Sequence, residues 1–179
     1  MDEIARVLPG RWTMNVEFPF TVCDQMIWDE LVSAQTHPAI TELLERYGIG
    51  SDFARYCGLN ADGIVVPVVE SGELVDLLTF DPCRPNHWTL RLGVAVMLGG
   101  DSLVGTTFPV RVHRTPLSWL QFDSGDGVCV LDWRLARRLL GCMDDIVAED
   151  IEHGEVILRY LSVPLALPRI SIPIRDAAE

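Results

Sequence analysis

The stretch PVRVHRTPLSWLQFDSGDGVCVLDWRLARRLLGCMDDIVAEDIEHGEVILRYL, residues 109–161, decides the fold. Its apolar residues alternate and then change period three times over. The spacing predicts a strand over 109–113, a helix opened by Thr115-Pro116 and running through 120, and a strand over 128–132. It then predicts a helix over 133–140, a strand over 145–148 and a helix over 152–161. Strands that alternate with helices over such short spans are βαβ units, and βαβ units make a parallel sheet.

Outward from that unit the character changes. Residues 64–70 and 73–80 are β-rich runs separated by Ser71-Gly72, which reads as a tight hairpin. A third strand over 87–91 and a short fourth segment over 93–100 complete a small antiparallel sheet. Further upstream, Asp24 is placed to cap a helix through Gln35, and Thr36 and Pro38 end it. Ile40, Leu43, Leu44 and Tyr47 then mark a second helix that Gly48 stops, and Ser51 opens a short one ending at Gly58. Residues 1–20 read as an extended arm or edge strand, and the Pro-rich residues 162–179 as an extended tail packed on the surface. The fold class is therefore α/β with an α+β N-terminal part. The expected organisation is an arm and helices over 1–62, a small β-rich subdomain over 63–106, the α/β unit over 107–161 and the tail over 162–179.

Composition limits the function. Among 179 residues, 49% are apolar and 22% charged, a balance that buries a core. The formal charge of −12 opposes phosphate backbones, so nucleic-acid binding is disfavoured and a protein partner is expected. All 14 basic residues are arginine. Schiff-base, P-loop and kinase-type lysine chemistry are thereby excluded. The acidic start MDEIARVLPG is unlike a secretory signal, and no apolar run is long enough to span a bilayer, so a cytoplasmic protein without membrane attachment is expected. Cys23, Cys57, Cys83, Cys129 and Cys142 are odd in number and widely spaced, which predicts free, mostly buried thiols.

Other constellations are weaker. Cys83 and His87 are four apart, but a zinc site needs two more ligands from Cys57, His113, Cys129 or Cys142, and no second pair has suitable spacing. Ser102, Ser118 and Ser124 lack a nucleophile-elbow context. Arg134, Arg137 and Arg138 sit at i, i+3, i+4 of one helix. With Arg111 and Arg114 they form a patch for phosphate or an acidic partner, unless the chain's own carboxylates take them. The five tryptophans are base-stacking platforms or core anchors. Residues 144–155 hold six carboxylates in twelve positions, which suits a cation site, a solvated loop or a decoy for a basic groove.

The order of elements, with VVPVVESGELVDLLTFD (65–81), PVRVHRTPLSWL (109–120) and DDIVAEDIEHGEVILRYL (144–161), resembles the Toprim region of phage and plasmid primases. The similarity spans residues 40–161 and rests mainly on 109–161. It implies a sheet whose strand ends gather carboxylates around Mg²⁺, which neutralises developing phosphate charge. Carried over, the metal ligands are Glu149, Asp150 and Glu152; the candidate cofactor-binding arginines, Arg111, Arg114, Arg134 and Arg138, come from the basic patch read above. The family places a glutamate at the first turn, where this sequence has His113-Arg114, which makes His113 the candidate proton carrier. The acid pair also lies one residue nearer the following glycine than in the family. These departures imply a non-catalytic or weakly catalytic binding or accessory module from a mobile genetic element. The alternatives are an Mg²⁺-dependent nucleotidyl or phosphoryl transferase and an acidic inhibitor of a basic groove on a host protein.

Overall fold

The computed structural model describes residues 6–8, 12–14, 22–50, 56–103, 109–122 and 127–163. The tail at 164–179 lies outside them, as does the start of the helix expected at Ser51. Within the N-terminal arm, β1 (Arg6–Leu8) and β2 (Trp12–Met14) pair antiparallel. Helix α1 (Val22–Gln35) begins two residues before Asp24, so Asp24 is an internal residue of that helix and not its cap. Helix α2 (Ile40–Arg46) buries Ile40 and Leu44 as its spacing predicts. It closes with Gly48 in the left-handed region, where the Gly48 and Ile49 amides donate to the Glu45 and Leu44 carbonyls.

Four strands in the order β3-β4-β5-β6 make the antiparallel sheet: β3 (Gly58–Asn60), β4 (Gly63–Glu70), β5 (Glu73–Phe80) and β6 (Trp88–Leu90). The Ser71-Gly72 turn joins β4 to β5 with φ of 54° and 81°, the pair of positive values that a two-residue hairpin needs. Gly58 was expected to end a helix and instead opens β3. A Cβ there would lie 2.5 Å from that of Ala34, so only glycine lets this strand run against α1. The pleat sorts the side chains. Ile64, Val66, Val68, Leu78 and Phe80 enter the main core, while Val65 and Leu77 meet Ile27, Leu31 and Ala34 of α1 on the other face.

The second sheet has the order β10-β8-β9-β7, from β10 (Ile146–Val147), β8 (Val110–His113), β9 (Gly127–Val130) and β7 (Met97–Leu98). β8 is parallel to both β9 and β10, and β7 is antiparallel to β9. The segment over 93–100 thus contributes two residues to this sheet, and the fourth strand of the antiparallel sheet is β3. Helices α3 (Pro116–Gln121), α4 (Trp133–Leu140) and α5 (Ile151–Leu161) complete the predicted βαβαβα order. Leu120 of α3 packs with Cys129 and the antiparallel sheet. Ala136 and Leu140 of α4 and Ile157 of α5 pack with Val110, Val112, Val128 and Val130 on the opposite face. The chain is therefore of mixed α/β class. Right-handed crossovers that step first one way along the sheet and then the other put α3 and α4 on opposite faces in this manner.

Asp76 lies fully buried within β5, where its neighbours in sequence are apolar. Its Oδ1 accepts the amides of Leu77 at 2.9 Å and Leu92 at 2.8 Å, and its Oδ2 those of Val94 at 2.9 Å and Ala95 at 3.3 Å. Glu70 accepts the next amide, Val96, at 3.0 Å. Two side chains on one hairpin thus hold the connection that carries the chain from β6 into the second sheet. Among the described residues, no helix is long and apolar enough to cross a membrane.

Candidate functional site

In an open sheet of parallel strands, the place where neighbouring strands send their following helices to opposite faces opens a crevice at the carboxyl ends. Here those neighbours are β8, followed by α3, and β10, followed by α5. His113 and Arg114 leave the end of β8, and Glu149 and Asp150 leave the end of β10. The structure brings these four residues into direct contact.

Glu149 is the hub. Its Oε1 lies 3.3 Å from His113 Nδ1 and accepts the Arg114 amide at 3.2 Å. Asp150 caps α5 by accepting the His153 amide at 2.8 Å. The same carboxylate receives Arg114 Nη2 at 2.7 and 2.9 Å, one nitrogen reaching both oxygens. Both partners in that pair are about half exposed, so it orders the corner more than it stabilises it. His153, missed in the sequence reading, is buried behind the corner, and its Nδ1 accepts the Glu149 amide at 3.4 Å.

The local sequence explains the geometry. Thr115 is the N-cap of α3, Pro116 supplies the fixed φ of its first turn, and Thr115 and Ser118 satisfy each other's amides at 3.0 and 3.2 Å. That cap turns the chain sharply after His113 and holds the Arg114 amide toward Glu149. On the α3 face, Arg111 stands 4.6 Å above the Phe122 ring, which tilts against the His113 ring at 5.1 Å. Gly127 is required beside them, because a Cβ would come within 2.8 Å of His113 Nε2.

Burial depresses the pKa of His113, and the adjacent Glu149 charge only partly offsets it. His153 is lowered for the same first reason. For Glu149, burial acts upward but is outweighed by the Ser118 hydroxyl, the Arg114 amide and the two imidazoles, so its carboxyl titrates below its usual value. Asp150 is lowered by the His153 amide and then by Arg114. A neutral His113 donates from Nδ1 to Glu149, leaving Nε2 as a buried nitrogen without a hydrogen-bond partner among the described residues.

These directions fix a pH dependence. An imidazole whose folded pKa lies below its unfolded value stabilises fully above the unfolded pKa and loses that stabilisation as pH falls. Thermal unfolding is therefore expected to move down in temperature as pH drops below about 6.5. Loss of the Glu149 and Asp150 contributions follows in more acidic solution, below the ordinary carboxylate range. A melting temperature flat from pH 8 to 5 contradicts the assignment.

The remaining sequence candidates fall elsewhere. Arg134 and Arg138 lie exposed on α4, across the sheet from Arg111, so the five arginines do not form one patch. Arg134 approaches its own Asp132 at 3.6 Å. Glu152 is exposed in the first turn of α5, apart from the Glu149 hub. Among the described residues, no group of three or more His, Cys, Asp or Glu side chains is placed to hold a metal ion. The donor set does not suit Mg²⁺ as it stands, because hydrogen bonds and Arg114 already engage both site carboxylates. Cys83 meets the Tyr47 hydroxyl at 3.1 Å, and among the described thiols Cys57 and Cys129 are buried while Cys83 and Cys142 are exposed. Trp28, Trp88, Trp119 and Trp133 pack against core clusters. No family model matches the sequence, and no curated protein or solved structure matches the chain.

Proposed function

We propose that the chain is a Toprim-like binding or accessory module of a mobile genetic element, with a strand-end centre that no longer turns over a substrate. One observation carries the reading. The carboxylates where the carboxyl ends of β8 and β10 meet are already engaged by the chain's own groups, Arg114 on Asp150 and His113 on Glu149. The element order and the parallel core of the second sheet support the Toprim comparison, and the replacement of a first-turn carboxylate by His113-Arg114 supports loss of catalysis. With a net charge of −12, a protein surface is a better partner than nucleic acid.

Metal titration tests this reading. A folded chain titrated with Mg²⁺ or Mn²⁺ into the millimolar range is expected to hold its melting temperature within about 1 °C, since an ion must first displace Arg114. A rise of several degrees, lost in Glu149→Gln, would overturn it and favour a metal-dependent nucleotidyl or phosphoryl transferase.

A further inference from the structure

Helices α4 and α5 cover one face of the second sheet, and their outer surfaces are unusually apolar. Leu135 and Leu139 form an i, i+4 row on α4, and Leu139 is 51% exposed. On α5, Ile151 is 83% and Leu158 65% exposed, seven residues apart on one side of the helix. Tyr160 stacks on Trp133 at 4.7 Å with the rings 4° from parallel, which joins the two helices side by side and leaves the two apolar rows on their outer flanks. Exposed leucines in rows, unlike scattered single ones, mark a contact surface.

The charges on this surface select its occupant. α4 presents Arg134 and Arg138 beside its leucine row and contains no acid. The first half of α5 presents Glu152 and Glu155, and its last turn presents Arg159. An acidic partner would suit α4 and be repelled by the first half of α5, and a basic partner would meet the reverse. A second copy turned by a twofold axis satisfies both, because α4 of each copy then faces α5 of the other.

We propose that this face is the interface of a homodimer, in which Arg134 and Arg138 of one copy meet Glu152 and Glu155 of the other, with Leu135 and Leu139 of one copy packed at the edge against Ile151 and Leu158 of the other. Two short helices offer a small face, of the size found in weak, reversible associations.

Sedimentation of the full chain at tens of micromolar tests it, and the result expected is twice the mass of the chain. Leu139→Glu is expected to sediment as a monomer and to keep the melting temperature that the wild type shows once diluted into its monomeric range, because the side chain it replaces is exposed. Charge reversal gives the sharper result. Arg134→Glu with Arg138→Glu makes both helices acidic, and Glu152→Arg with Glu155→Arg makes both basic, so each variant alone should weaken self-association at least about tenfold. Mixed in equal amounts, the two should dimerise again. A monomeric wild type at these concentrations overturns the proposal. So does a mixture that stays monomeric, or a Leu139→Glu chain that still dimerises. A Leu139→Glu chain that melts below the diluted, monomeric wild type also overturns it, and assigns the face to a segment of the same chain.

Discussion

Replacement of Asp76 by Ala is expected to destabilise the protein by about 3–5 kcal/mol, the largest effect of any single polar substitution discussed above. The carboxylate is fully buried and accepts four backbone amides, those of Leu77, Leu92, Val94 and Ala95. Each amide left without an acceptor costs about 1–3 kcal/mol, and local shifts that admit water recover part of the sum. Asp76→Asn keeps one carbonyl oxygen but turns an NH₂ group toward two of the donors, so it should recover only part of the loss. Urea unfolding of the three chains measures the differences directly. If Asp76→Ala unfolds within 1 kcal/mol of the wild type, the four-amide arrangement is wrong. The effect should spread beyond the hairpin, since the segment that Asp76 holds leads into β7 and the second sheet.

Glu149→Ala should produce the second largest change, about 2–3 kcal/mol. It removes the acceptor of the Arg114 amide and the partner of His113 Nδ1, whose ring is only 4% exposed. The loss has a signature that a packing defect lacks. Without the carboxylate, nothing opposes the burial that depresses the His113 pKa, so that pKa should fall further. The His113 ring resonances followed by NMR against pH should therefore titrate at lower pH in Glu149→Ala than in the wild type. An unchanged or raised midpoint would show that His113 and Glu149 do not interact. Glu149→Gln should retain part of the stability, because its carbonyl can still accept from Arg114.

The order of elements in the second half was legible in the sequence because each element there is set by neighbours a few residues away. Thr115-Pro116 starts a helix through a cap and a fixed φ, Asp132 caps the next by accepting the Arg134 amide at 2.8 Å, and Asp150 the last. The Ser71-Gly72 hairpin was legible for the same reason. Pairings between distant segments left little local trace. β3 has three residues and exists because Gly58 fits against Ala34, a contact made 24 positions away. β7 has two, and only its pairing with β9 places it in the second sheet.

The candidate site was half legible. His113-Arg114 and Glu149-Asp150 stood out as polar corners at the ends of apolar runs, and the structure joins them. Their roles were less readable, since the sequence does not say that Asp150 both caps α5 and holds Arg114, or that Glu149 faces inward. His153 carried one overlooked signal: it stands four residues before Ile157, on the buried stripe of α5. Asp76 carried a clearer one. Its position shares the parity of Leu78 and Phe80, so the pleat that buries them buries the carboxylate as well.

The candidate site exists only because β8 and β10 lie side by side and parallel, so that their ends bring His113-Arg114 against Glu149-Asp150. Proton–proton contacts in isotope-edited NMR of the full chain test this most directly. Cross-strand contacts are expected in the parallel register that pairs Val110 with Ile146 and Arg111 with Val147, together with contacts from the His113 ring to the Glu149 side chain. An antiparallel pattern between these strands, or a His113 ring in contact with residues remote from Glu149, would contradict it.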